Sequence, residues 1–336
     1  MKIVYENNKL NQLNCLKGFA IFTIVLFHLF NNYMTSLPTG LVMMSVIGGT
    51  GVHVFFFCSG LGLYLSYLQK PVTYIEFIKR RFFKIYIPYI IVVIISFFIP
   101  CLYTYDDKVE ALLGHVLLFK MFVPKYEESF GAQLWFVSTI FQIYFLFIPM
   151  CEIKNRIKNK CIFGLIFLCI SIFWWIIVML FGRSEVRVWN SFCLQYIWEI
   201  ALGMLVADSF DKGKSIKINR IGLFVAAVLG IGLQAVMALS LPILKLFNDI
   251  PAFVGYISLT LLLLEIPFVR LIAEKISIFS YELYLVHMGV FSVMFILFDA
   301  VEMKTQIIIG CLALVVSCIC AYLYHMLVEK VRLKLR

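Results

Sequence analysis

Charge is scarce in this sequence: Asp, Glu, Lys and Arg make up 14% of the 336 residues, whereas 62% are apolar. Soluble chains carry about 25% charged residues, so an ordinary water-soluble protein of two domains is excluded. Paired Cys-x-x-Cys spacing is missing as well. The ten cysteines are scattered mostly through apolar stretches, as small buried residues are, which argues against a disulfide framework and against a cysteine-built zinc site. No metal is expected from this pattern. Internal repeats, low-complexity tracts and an appended soluble domain are also lacking. The first apolar run, Asn14 to Asn32, is long for a signal-peptide core and no small-x-small cleavage pattern follows it, so it reads as a retained helix.

What the sequence does have is apolar length. Ten runs lie near residues 13–33, 47–67, 85–104, 133–152, 161–181, 189–208, 219–240, 250–268, 277–298 and 305–327. Each approaches the roughly 20 residues that a helix needs to cross about 30 Å of hydrocarbon. Strands of a membrane barrel would be about ten residues long and would alternate polar with apolar. The expected fold is therefore all-α: a polytopic integral membrane protein, a bundle of about ten transmembrane helices forming one domain over residues 1–336 and surrounded by membrane lipids.

A net charge of +10 invites a nucleic-acid reading, but the basic residues sit in short clusters between apolar runs, so no nucleic-acid partner is expected. All but seven of the 29 basic residues fall on the amino-terminal side of the membrane; the other side keeps Lys108, Lys120, Lys125, Arg183, Arg187, Lys245 and Lys304. The positive-inside rule then places both termini in the cytoplasm, in agreement with an even number of spans. One long outer loop remains, about residues 105–132, and its middle, Ala111 to Val123, has the composition of a helix lying at the interface. His115 and His325 read as surface residues.

Polar residues inside apolar runs are the candidates for chemistry, because exposing them to lipid costs several kcal/mol. Lys17 and His28 are eleven residues apart, about three helical turns and only about 20° of rotation, so they share a face. Asn14 lies one turn before Lys17, and Asn31 and Asn32 lie one turn after His28. The structural alternative is a lysine snorkelling to headgroups and a histidine at the outer interface. The second run opens Gly48-Gly49-Thr50-Gly51-Val52-His53, and its glycines permit close helix contact. His53 can move a proton near neutral pH, or be a hydrogen-bonded structural residue. Glu199, four residues after Gln195, needs a partner or a proton at its depth. His287 lies beside Tyr284, where an interhelical hydrogen bond is the structural alternative to catalysis. Arg80, Arg81 and Lys84 cluster between the second and third runs, where they can anchor headgroups or grip phosphates through charge-assisted hydrogen bonds.

These segments together resemble the membrane acyltransferase-3 family. Leu16-Lys17-Gly18 followed by His28 resembles its opening signature, and Gly51-Val52-His53-Val54-Phe55-Phe56-Phe57-Cys58-Ser59-Gly60 its second-helix motif. Arg80-Arg81-x-x-Lys84 leading to Pro88-Tyr89 is similar to its basic loop. Leu134-Trp135-Phe136 with Gln142, Tyr144 and Pro149 matches its fourth-helix pattern, and Ser280-Tyr281-Glu282-Leu283-Tyr284-Leu285-Val286-His287 its late segment. Two departures stand out: Lys17 replaces the usual Arg, and Ile140 or Phe141 stands where many members carry a Glu.

The resemblance implies O-acyl transfer, commonly of acetyl from acetyl-CoA, to a hydroxyl of a sugar, polysaccharide or lipid-linked acceptor of the cell envelope, in a bacterial cytoplasmic membrane. It implies His28 as the catalytic residue and Lys17, Arg80, Arg81 and Lys84 as donor-side contacts, with acyl-CoA as donor substrate and a carbohydrate or glycolipid as acceptor. The spacing of about three turns between the basic end of the first helix and His28 is comparable with the reach of a pantetheine arm. His28 could then be a general base or a transient acyl carrier. The alternative from another class is a transporter of a glycolipid, polysaccharide or small metabolite, which should show pseudo-symmetric halves with interrupted helices.

Overall fold

The computed structural model describes residues 2–3, 11–104, 106–213, 216–217, 219–240, 244 and 246–334. Lys9, Lys214, Lys245 and Arg336, which the charge ledger uses, and the two chain ends that it assigns to the cytoplasm, lie outside the described residues. Each of the ten apolar runs holds a helix. In order they are α1 (Asn11–Asn32); α2 (Thr39–Gly49) leading into α3 (Gly51–Gln69); α4 (Tyr74–Arg81) joined by a π-helical turn, Phe82–Tyr86, to α5 (Ile87–Phe98); α6 (Lys108–Val116) in the long loop; and α7 (Trp135–Arg156). There follow α8 (Lys160–Leu180), the single turn α9 (Arg187–Asn190), α10 (Cys193–Asp211), α11 (Arg220–Ser240), α12 (Asp249–Leu263), α13 (Pro267–Ser277), α14 (Ser280–Leu297) and α15 (Met303–Lys334). A two-residue antiparallel bridge, β1 (Lys2–Ile3) with β2 (Ile216–Lys217), is the one extended pairing among the described residues.

Eight of the described helical stretches are long and apolar enough to cross a membrane, or nine if a bent pair counts as one span. The expectation was ten. The bent pair is α12 and α13, which meet at 113°. Pro267 lacks the N–H that would continue α12 and pushes the residue before it out of helical conformation, so the run expected at 250–268 ends at Leu263. The remaining run became α10, a helix of 19 residues that packs against α3 and α8. Its Gln195, Glu199 and Asp208 are buried, so its polar groups face protein and its sequence is less apolar than that of a lipid-facing span.

The chain forms two compact units. The first comprises Met1–Ala20, Thr50–Arg80 and Thr139–Lys275, and the second Ile21–Gly49, Arg81–Ser138 and Ile276–Arg336. In the first, glycine sets how closely helices approach. A Cβ on Gly60 would lie 2.3 Å from the carbonyl oxygen of Ile200, and one on Gly203 would lie 2.3 Å from that of Phe57, so α3 and α10 touch backbone to backbone. Gly230 and Gly255 play the same part between α11 and α12.

In the second unit α14 packs on α15, and α5 on α6. The π-turn before α5 has a local cause. Pro88 has no N–H, so the carbonyl of Lys84 lacks its α-helical donor. Arg332 on α15 supplies one instead, its Nη2 donating to Lys84 O at 2.7 Å, while Tyr281 Oη donates to Ile85 O at 2.8 Å.

In the long loop one residue departs from its expected place. His115, read as a surface residue, is fully buried, and so is Lys120. Tyr86 Oη donates to Val116 O at 2.6 Å and Tyr89 Oη donates to His115 Nδ1 at 2.7 Å. Tyr86 lies twelve residues before the end of α5, so the loop folds back along that helix by about 18 Å. Irregular backbone at such depth has to be satisfied by protein. Here His115 Nε2 donates to Ser129, at 3.0 Å to its carbonyl and 2.9 Å to its hydroxyl, and the Lys120 ammonium donates to Ser129 O and Gly131 O at 3.2 and 3.1 Å. Burial, aided by the nearby Lys120 charge, holds the His115 imidazole well below its ordinary pKa, and therefore neutral. The other histidine expected at the surface, His325, is partly covered and lies 3.3 Å from Glu282.

Candidate active site

α1 runs without a break through both Lys17 and His28, as the eleven-residue spacing predicts. The side chains of Lys17 and His28 are both half-buried, whereas Asn14, Asn31 and Asn32 are exposed. His28 meets the histidine that closes the late motif. Its Nδ1 lies 2.8 Å from His287 Nε2, and the two rings meet edge to edge, 5.1 Å between centroids with their planes 14° apart. His287 is wholly buried on α14.

The protons in this pair follow from the acceptor at its far end. His287 Nδ1 lies 2.9 Å from the carbonyl oxygen of Leu283, and a carbonyl can only accept, so that nitrogen carries the hydrogen. In neutral His287 the lone pair is then on Nε2, and His28 donates to it from Nδ1. By the same logic the lone pair of neutral His28 is on its Nε2. A backbone carbonyl one turn away thus fixes the tautomers of two imidazoles in series. Tyr284, one turn before His287, donates its hydroxyl to Gln133 O and packs edge-on against Phe136, so the fourth-helix and late motifs touch.

The second predicted histidine has different company. His53 Nδ1 lies 2.5 Å from Glu199 Oε1, and its Nε2 lies 3.7 Å from Asp249 Oδ1. Gln195 Nε2 holds Asp249 Oδ2 at 2.6 Å. Glu199 therefore has the partner that its depth required. Asp249 was missed by the sequence reading because it opens an apolar run, where an acidic residue looks like a water-facing helix start.

Of the basic cluster, Arg80 is exposed and ion-paired with Glu76 one turn before it. Arg81 is half-buried and Lys84 exposed, at the start and in the middle of the π-turn. Ile140 and Phe141, where the family pattern often has a carboxylate, are buried, and the neighbouring Gln142 Oε1 accepts from the backbone N–H of Cys193 at 3.2 Å. A cleft of about 350 Å³ in the first unit is lined by Gln12, Cys15, Arg220, Leu261, Leu264, Glu265 and Arg270.

Membrane-length helices enclosing paired imidazoles define a multi-pass membrane protein whose polar chemistry is carried inside its helices. The sequence model of the acyltransferase-3 family, an acyltransferase domain, matches residues 10–326. The chain belongs to that family and is a membrane acyltransferase. No curated protein and no solved structure matches it.

Proposed function

We propose that this acyltransferase moves an acyl group, in the first instance acetyl, from cytoplasmic acyl-CoA to a hydroxyl of a sugar, polysaccharide or lipid-linked acceptor, with His28 as the general base. One observation carries the assignment of the base: the Leu283 carbonyl, His287 and His28 form a single hydrogen-bonded series that puts the lone pair of His28 on Nε2. That nitrogen takes the proton of the acceptor hydroxyl as its oxygen attacks the thioester carbonyl. The C–S bond then breaks, and the departing CoA thiolate recovers a proton from His28. The same lone pair would serve an acyl-imidazole route, which ping-pong kinetics would reveal.

Arg80, Arg81 and Lys84 are the donor-side contacts in this reading. CoA is rich in phosphate, guanidinium groups bind phosphate in a bidentate manner, and the charge ledger puts this segment on the cytoplasmic side. Lys17, three turns before His28 on α1, serves the same end of the donor. The cell envelope of a bacterium, reached through its cytoplasmic membrane, is the setting that this acceptor class implies.

The test is transfer of labelled acetyl from acetyl-CoA to candidate glycans by the purified protein in nanodiscs. His28→Gln keeps hydrogen-bonding groups but accepts no proton at neutral pH, so turnover should fall by about 100-fold or more with donor binding retained. Near-normal transfer by the folded variant would overturn the assignment of His28.

A further inference from the structure

The cluster of His53, Glu199 and Asp249 belongs to neither the imidazole pair nor the basic segment, and its chemistry is unusual for a membrane interior. One ligand atom from each residue lies within 4.8 Å of the others. They come from α3, α10 and α12, all in the first unit, where the contact of Gly60 and Gly203 draws α3 against α10. His53 and Gly60 are two turns apart, and Glu199 and Gly203 one turn apart, so the glycines and the polar groups share facing stripes.

Two carboxylates and one imidazole do not balance. With both carboxylates ionised, even a protonated His53 would leave one negative charge in a buried, helix-enclosed place, where an uncompensated charge is very costly, so the cluster holds either a further proton or a cation. The hydrogen bonds are incomplete as well. Glu199 Oε1 takes the His53 Nδ1–H, but Oε2 of the same wholly buried carboxylate has no partner among the described residues, and neither does the buried Oε1 of Gln195. With Nδ1 donating, His53 Nε2 presents its lone pair toward Asp249 Oδ1 at 3.7 Å. That is too long for a hydrogen bond. It is the separation of two ligands about 2.1 Å from one ion, at an angle of roughly 125°.

From these observations we infer that His53, Asp249 and Glu199 form a binding site for a divalent first-row cation, zinc or manganese, which departs from the expectation of no metal drawn from the cysteine pattern. His53 Nε2 and Asp249 Oδ1 supply two ligands, and Glu199, whose Oε2 is unpartnered, supplies a third by turning its carboxylate from the far ring nitrogen to the ion. The ion removes the charge excess. Gln195 on Asp249 Oδ2 is the outer partner that orients that ligand, as such partners do in known metal sites. One nitrogen and two carboxylate oxygens suit zinc and manganese better than they suit soft, thiolate-seeking ions. The site stands on the first unit alone and does not depend on the identity of the donor or the acceptor.

The experiment uses the full chain in nanodiscs, stripped with a chelator and then equilibrated with zinc or manganese. Bound metal is measured by mass spectrometry and unfolding by a thermal scan. About one ion per chain and a raised unfolding midpoint are expected for the wild type and for His28→Gln, whose histidine belongs to the other cluster. Glu199→Gln and Asp249→Asn conserve shape, so they should fold while losing both the ion and the metal-dependent rise. The contrary result is a wild type that binds neither ion at millimolar concentration and unfolds at the same temperature with and without metal. The cluster would then be a shared-proton network and the inference is overturned. Stoichiometric binding that survives in both variants overturns it equally, by moving the ion elsewhere.

Discussion

Replacing His287 by Phe separates a positioning histidine from a packing one. The ring keeps its bulk against Phe291 and Tyr284, and the Leu283 carbonyl keeps its helical N–H partner. What is lost is the acceptor 2.8 Å from His28 Nδ1. A neutral hydrogen bond of this kind is worth about 1 to 1.5 kcal/mol. Since 1.4 kcal/mol is a factor of ten, orientation alone should lower kcat about tenfold, and the released choice of tautomer should lower it further, toward about 100-fold. The Michaelis constant for acyl-CoA should hardly move. His287→Gln, which can still accept from Nδ1, should recover part of the loss. Initial rates of labelled transfer in nanodiscs check both variants. His28→Gln combined with His287→Phe should be no slower than His28→Gln alone, because the second change acts only through the first. Undiminished kcat in His287→Phe, or losses that multiply in the double variant, would refute this chain of reasoning.

Arg80→Gln with Arg81→Gln should raise the Michaelis constant for acyl-CoA far more than that for the acceptor; unchanged donor dependence would reduce the pair to headgroup anchors. Gly203→Ala forces a Cβ to 2.3 Å from Phe57 O and 2.6 Å from Leu61 N. As backbone cannot swing aside, a loss of at least 1 to 3 kcal/mol is expected as a lowered unfolding midpoint. Gly232→Ala meets nothing within 4 Å and should be neutral or stabilising by up to about 1 kcal/mol. The neutral His115 gives a pH signature. Its folded pKa is depressed, so the unfolded chain binds the proton first and stability is lost as pH falls through about 6.5. Between pH 7.5 and 5.5 the wild type should lose more stability than His115→Gln, and equal losses would count against the buried assignment.

The apolar runs were readable because helix length and lipid thickness are matched, and each of the ten became a helix. Lys17 and His28 stand on one helix for the same reason: periodicity along one element is written in one stretch of sequence. Contacts between elements are not. Asp249 and Glu199 are 50 positions apart in the sequence, and only the packing of α3, α10 and α12 turns both toward His53. His287 was a candidate, but that it fixes the proton of His28 depends on a carbonyl no pattern could single out. The misreading of His115 has a plain cause. Polar residues in a loop default to water, and nothing local reveals that Tyr86 and Tyr89 offer hydroxyls to draw the loop inward. The break at Pro267 was visible in principle, but the apolar residues around it masked a bend of 113°.

The bond from Arg332 to the Lys84 carbonyl has a consequence for how this molecule tolerates change. Pro88 leaves that oxygen without its helical donor, so the turn bearing Lys84 is finished by a residue 248 positions further along. The two helices must therefore stay in register. Inserting one residue into α15 between His325 and Arg332 would rotate the guanidinium by about 100° and carry it about 1.5 Å along the axis, off its target. Substitutions on the lipid-facing surface of α15 should be accepted freely, whereas single-residue insertions and deletions in that stretch should not.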